Sequence, residues 1–233
     1  MKSLPLYIQE KLIIKKSITK KSKGISYKYF PETKEELQDI IKQRIKQEGN
    51  EVNLNDIDVS NIKDMSELFQ FMGRFNGDIS NWDVSNVTNM NSMFLNCNSF
   101  NKDISSWDVS NVQDISNMFC GCELFNQDIS NWDVSNVTNM NSTFLNCNSF
   151  NKDISNWDVS NVKNMRFMFY GCEKFNQDIS DWDVSNVTDM VYMFFDCNSF
   201  NKDISNWDVS KVKIKDKMFD YCPIKEKYKP KFK

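Results

Sequence analysis

Between residues 79 and 104 the apolar side chains are Ile79, Trp82, Val84, Val87, Met90, Met93, Phe94, Leu95, Cys97, Phe100 and Ile104, with polar residues filling the gaps. The run Val87, Met90, Met93/Phe94, Cys97 steps by three or four residues, the spacing of one face of a helix or of a tighter 3-10 turn. Ser85 or Asn86 stands before it with a side-chain oxygen able to accept from an orphan amide, so the pattern predicts a short helix near VTNMNSMF. The other half, NKDISNWDV, sets Ile among polar residues and then gives Trp-x-Val, an alternation that predicts a short strand with one side buried.

This pattern returns every 25 residues: Trp82, Trp107, Trp132, Trp157, Trp182 and Trp207 fall on the period, and Ile57 takes the tryptophan place in an earlier, degenerate unit. Residues 81–105 and 131–155 differ only in Met93 against Thr143. A unit of this length cannot bury its own apolar face, so tandem copies stack into a continuous core. The expected fold is an α/β repeat, a solenoid of seven units over residues 52–222, with one short strand and one short helix or 3-10 turn per unit. Stacking in register at about 4.8 Å per rung makes files of like residues. The files Phe75, Phe100, Phe125, Phe150, Phe175, Phe200 and Phe69, Phe94, Phe119, Phe144, Phe169, Phe194, Phe219 are read as core. Alternate units differ, NCNSFNK at 96–102 and 146–152 against GCELFNQ at 121–127 and GCEKFNQ at 171–177, so the duplicated unit is two repeats long.

Ahead of the repeats, PETKEELQDIIKQRIKQEG predicts an amphipathic capping helix within residues 31–51: Leu37, Ile40, Ile41 and Ile45 share a face, Glu35 and Glu36 lie in the first turn, and Gly49 is a stop. A basic segment, 1–30, precedes it, and a basic tail, 223–233, is expected to be solvated and frayed. Lys211, Lys213, Lys215 and Lys217 enter the last unit, where charge discourages further stacking.

The net charge of −3 conceals an asymmetry: residues 1–50 carry 12 Lys/Arg against 6 Asp/Glu, residues 51–210 carry 8 against 23, and residues 211–233 carry 9 against 3. An acidic body disfavours nucleic acid along the repeats. No stretch approaches the roughly 20 apolar residues that cross a bilayer. The first residues show no secretion signal, since Gln9, Glu10 and Lys11 interrupt the apolar run, which favours a cytoplasmic or assembly-associated chain over a secreted one.

Three kinds of residue recur as candidate chemistry. The file Cys97, Cys122, Cys147, Cys172, Cys197, Cys222 lacks the close pairing of a zinc site in a chain without histidine, so these thiols are read as small buried hydrophobes and no metal or cofactor is expected. Asp78, Asp103, Asp128, Asp153, Asp178 and Asp203, with Ser80, Ser105, Ser130, Ser155, Ser180 and Ser205, fall on the exposed side of the expected strand, either merely solvated or forming a binding face. A second file, Asp58, Asp83, Asp108, Asp133, Asp158, Asp183 and Asp208, follows the Trp positions, where an Asx turn is favoured to offset the repulsion. Identical carboxylates on every rung do not create the two unlike environments of an acid–base pair, so no catalytic residue is assigned. The tryptophans are placed at the core edge in preference to an exposed sugar-stacking platform.

The motif FNQDISNWDVSNVTNM…MF…C resembles the 25-residue repeat of BspA-type leucine-rich repeat surface proteins, a variant abundant in mycoplasmal lipoproteins and found in gut bacteria and their phages; the likeness spans residues 52–222. It implies a right-handed leucine-rich-repeat-like solenoid used for adhesion or protein binding. The expectation is a non-enzymatic module, monomeric or part of a larger assembly, whose Asp and Ser files (Asp78, Asp103, Asp128, Asp153, Asp178, Asp203, Ser105, Ser130, Ser155, Ser180) dock a protein with a basic surface. The alternative is a displayed structural component of a phage particle or similar assembly.

Overall fold

A computed structural model describes residues 21–22 and 25–232, so most of the basic 1–30 segment lies outside the described residues. Strands β1 (Lys21–Ser22) and β2 (Ile25–Ser26) pair antiparallel, Lys21 opposite Ser26. Helix α1 spans Lys34–Glu48. The Thr33 hydroxyl accepts from the Glu36 N–H at its start, acidic Glu35 and Glu36 sit where the helix dipole favours them, and Gly49, at φ 89, ends it. Leu37, Ile40 and Ile41 are buried against the first coil. Arg44 joins them: its guanidinium bonds Glu48, Asp56 at 2.7 Å and the Asn53 carbonyl at 2.9 Å, with the Tyr29 ring centroid 5.3 Å away. A charge taken from water persists there because its donors are used.

From residue 52 the backbone winds in coils, each bonded to the next. Single parallel bridges link Asp64, Asn89, Asp114, Asn139, Asn164, Asp189 and Ile214 in succession, 25 residues apart. Beside that bridge two kinds of hydrogen bond alternate. The N–H groups of Met90, Ser92, Phe94 and Asn96 donate to the carbonyls of Asp114, Ser116, Met118 and Cys120 in the next coil, at 2.7–2.9 Å. Those of Met93, Leu95 and Cys97 close three-residue turns onto Met90, Ser92 and Phe94, at 2.9–3.2 Å. Every donor from Met90 to Cys97 is thereby accounted for, Asn91 bonding the Asn89 side chain.

The structure therefore differs from the expected secondary structure. Among the described residues, 52–222 hold neither a helix nor a strand longer than a single bridge. VTNMNSMF does not form a helix because Ser92 and Asn96 take positive φ, both 57, and half the amides point to the neighbouring coil instead of back along the chain. Consecutive turns closed at three residues bring apolar side chains to one side at nearly the spacing of a helix, which is why the pattern misleads. The segment expected as a strand, NKDISNWDV, is irregular apart from one turn in which the Trp N–H closes onto the Ile carbonyl three residues back, and the parallel bridge that recurs in every coil falls instead at the Asn89 position.

Inside the coils the phenylalanine files are closed to solvent from Phe69 to Phe200, while the terminal Phe219 is partly buried. Phe94 lies 5.3 Å from Phe69 and 5.7 Å from Phe119, nearly parallel to both, and packs on Phe100 at 4.1 Å within its own coil. The tryptophans are 3–5% exposed, which places them in the core. Each indole N–H donates to an apolar residue's carbonyl one coil back, as Trp132 does to Ile104 at 3.1 Å. The file thiols also point inward, Cys147 donating to the Phe119 carbonyl at 2.9 Å. Where Thr143 replaces Met93, its buried hydroxyl donates to the Met140 carbonyl at 2.9 Å, so the polar group does not go unpaired.

The alternation of units has a structural cause. Asn96, Asn98 and Asn101 of one coil face Gly121, Glu123 and Gln127 of the next. Asn98 Nδ2 donates to Glu123 Oε1 at 2.8 Å, Gln127 Nε2 to the Asn101 carbonyl at 2.8 Å, and Asn96 leans over Gly121. Asn146, Asn148 and Asn151 meet Gly171, Glu173 and Gln177 in the same way.

The tail, expected to be frayed, folds across the last coil. Ile224 and Pro230 are buried, Ile204 N–H donates to the Tyr228 carbonyl at 3.0 Å, and the Lys215 ammonium stands 4.1 Å from the Phe232 ring centroid. Apolar residues between the lysines cover a core end that would otherwise meet water.

Candidate interaction surface

Three rows of acidic or amide side chains run along the coils, each held by the backbone two residues on. Oδ1 of Asp78, Asp103, Asp128, Asp153, Asp178 and Asp203 accepts from the amide of Ser80, Ser105, Ser130, Ser155, Ser180 and Ser205, at 2.9–3.1 Å. The Trp-Asp file does the same, Asp133 to Ser135 and Asp183 to Ser185 at 3.0 Å. So does a third row, unread from the sequence, in which Asn89, Asp114, Asn139, Asn164 and Asp189 occupy the bridge positions. The Asp-x-Ser signature is an Asx turn in both Asp files, with one oxygen committed to the turn.

Apart from Asp78, which bridges Asn53 in the first coil, the Asp-Ile-Ser row lies outside the bridges, so the acidic ladder does not stand on a strand face. Asp103, Asp128, Asp153, Asp178 and Asp203 are exposed; Asp78 and Ser105, Ser130, Ser155 and Ser180 are half-buried. Hydrogen bonds from the serine two residues on, and a lysine one coil further, hold the Asp128 and Asp178 carboxyls below the usual carboxylate range; the lysines are Lys152 and Lys202. Lys227 plays that part for Asp203. Asp133 and Asp183 are lowered chiefly by their serines. After Asp103 and Asp153 the lysine place is taken by Gln127 and Gln177, whose amides turn onto Asn101 and Asn151. Charge compensation along the row is thus uneven.

Two further features escaped the sequence reading. Asn76, Asn101, Asn126, Asn151 and Asn176 form a ladder in which each Oδ1 accepts the backbone N–H of the next asparagine, at 2.9–3.1 Å. A half-buried aromatic wall covers the later coils: Phe167 stacks on Tyr192 at 5.1 Å and Tyr170 on Phe195 at 4.9 Å, with Arg166 over Phe167 and Lys217 near Tyr192. The available signal was that aromatics replace Ser92, Asn117 and Ser142 at the Phe167 and Tyr192 positions.

The thiols are ill suited to chemistry. Burial pushes Cys97 up to about 12 and Cys120 and Cys222 up to about 11, and all seven cysteines are free. Among the described residues no group of three or more His, Cys, Asp or Glu is arranged to hold a metal ion, and no helix is long and apolar enough to cross a membrane.

These features define a tandem-coil protein whose apolar residues are occupied by stacking, leaving rows of fixed polar side chains outside. The chain belongs to the family described as "Mycoplasma protein of unknown function, DUF285", matched over residues 36–156 and again over 139–224. No curated protein and no solved structure matches.

Proposed function

We propose that the chain is a BspA-type, right-handed leucine-rich-repeat-like solenoid and serves as a non-enzymatic protein-binding or adhesion module. The parallel bridge that recurs every 25 residues supports the fold reading, since it keeps successive coils in register. The binding reading rests on the Asp-Ile-Ser row. Six carboxylates are held in one pose by the same amide bond, so a basic partner meets charges whose orientation costs little further entropy. Repetition at every coil suits a partner with several cations more than a single small ligand.

The test uses a replacement that the fold already tolerates. Asn89 and Asn139 make the same turn as the aspartates, so Asp128→Asn, Asp153→Asn and Asp178→Asn together remove three charges and keep the turns. In a pulldown from surface-protein extract read by quantitative mass spectrometry, captured partners should fall at least about tenfold with the triple variant while its urea unfolding midpoint is maintained. Equal capture by both proteins would rule out this row as the binding face.

A further inference from the structure

Every inner coil lays a row of backbone donors against its successor. The row is Met65, Glu67, Phe69, Phe71 in the first coil and Met190, Tyr192, Phe194, Asp196 in the last but one, each donating to a carbonyl 24 residues on. In the final coil the same places are Lys215, Lys217, Phe219 and Tyr221, and none of their N–H groups has an acceptor among the described residues. Lys217 and Tyr221 nonetheless hold φ of 52 and 58, matching 56 and 55 at Tyr192 and Asp196, so the row keeps the pose in which inner rows are covered. The tail's main-chain bonds to the coils go to Asn201 and Ile204 and leave these four amides without an acceptor, while its side chains reach only the flank of the row, Phe232 against Lys215 and Lys229 over the Phe219 ring.

We propose that this row is a docking edge for an acidic segment of a partner protein, bound through main-chain carbonyls as the inner coils bind one another. The inner coils define the occupant's backbone: a chain giving a carbonyl at every second residue, with Gly, Asn or Asp where φ must be positive. Charge defines its side chains. Lys211, Lys213, Lys215 and Lys217 line the last coil and Lys225, Lys227, Lys229 and Lys231 follow in the tail, against Asp216, Asp220 and Glu226. Lysines on an edge ordinarily block pairing. Here three of them fold away from it: Lys211 bonds Asn186 Oδ1 at 2.6 Å, Lys215 lies over Phe232 and Lys217 lies near Tyr192. Ile214 and Tyr221, 44% and 76% exposed, offer apolar contact at the two ends of the row.

An ordinary further coil fits poorly. Lys215 stands where inner coils place buried Met65, Met90, Ile115, Met140, Met165 and Met190, so such a coil would bury an ammonium. A second copy meets the same obstacle, and its first coil is covered by α1, whose Lys34 bonds Asp64 and Ser66. The proposal concerns an acidic partner at the end of the stack and stands apart from the basic partner proposed for the Asp row.

The probes are a blocked synthetic peptide of alternating Glu and Gly and the Lys-Gly counterpart. The acidic peptide should slow hydrogen exchange at the amides of Lys215, Lys217, Phe219 and Tyr221 by at least about tenfold and leave the Asp row unchanged. Lys213→Glu with Lys231→Glu, both exposed, should weaken the acidic peptide about tenfold and admit the Lys peptide instead. Protection elsewhere, no protection by the acidic peptide, or equal binding by the reversed variant would overturn the proposal. So would concentration-dependent self-association in sedimentation that protects these amides, which would make a second copy the occupant.

Discussion

Gly121 shows how tightly one residue is constrained by the coil beneath it. Its φ of 73 lies in the left-handed region, and a Cβ built on it would collide with Oδ1 of Asn96 one coil back. Ser92, Asn96, Phe167 and Tyr192 adopt similar angles without being glycine, at about 1 kcal/mol or more each. They do so because the positive angle turns the next amides toward the neighbouring coil, where each finds a carbonyl. Gly121→Ala is expected to lower the unfolding free energy by about 2 kcal/mol, from conformational cost and overpacking together. Adding Asn96→Gly should restore the part due to collision, as measured by urea unfolding of the single and double variants. A wild-type midpoint for Gly121→Ala would mean that the coils do not approach this closely.

At the scale of the element, composition and period were informative about position and uninformative about conformation. The phenylalanine, tryptophan and cysteine files were legible because like residues must stack, and all three turn inward. The helix near VTNMNSMF was not, because one set of positive angles sits on Glu67, Ser92, Phe167 and Tyr192, which carry no mark of them, and the mark in the other set, Asn96, Gly121, Asn146, Gly171 and Asp196, was not read as a left-handed column. Asp-x-Ser was legible as an Asx turn for the Trp-Asp file; the Asp-Ile-Ser file obeys the same local chemistry, and its expected exposure holds for its aspartates other than Asp78 but not for its serines, which are half-buried except Ser205. The asparagine ladder was hidden because its bonds join residues 25 apart, a relation that only the stacked register creates. Far-ultraviolet circular dichroism should accordingly show helix equivalent to little more than the 15 residues of α1 in the described part of the chain. Helicity corresponding to one helix per coil would contradict the turn-built coil.

For the whole molecule, stability is a sum of many small terms repeated along the stack, and the carboxylates give that sum a pH dependence. Asp128, Asp133, Asp178, Asp183 and Asp203 are held below the ordinary carboxylate range by their serines. The unfolded chain, with its higher carboxylate pKa of about 3.9, takes up protons first, so their contribution is full above that value and is lost as pH falls through the lower folded values. Urea midpoints should hold from neutral pH to about pH 5 and fall below about pH 4, each exposed carboxylate giving a modest share. A midpoint that rises on acidification would show that repulsion along the rows outweighs the turn bonds. The pairing of Asn96 with Gly121 and of Asn146 with Gly171 has a genetic corollary. Recombination within such a gene can lengthen or shorten the product cleanly only in steps of two coils, because loss of one sets either two leaning asparagines or two glycines against each other. Viable length variants should therefore differ by even numbers of repeats.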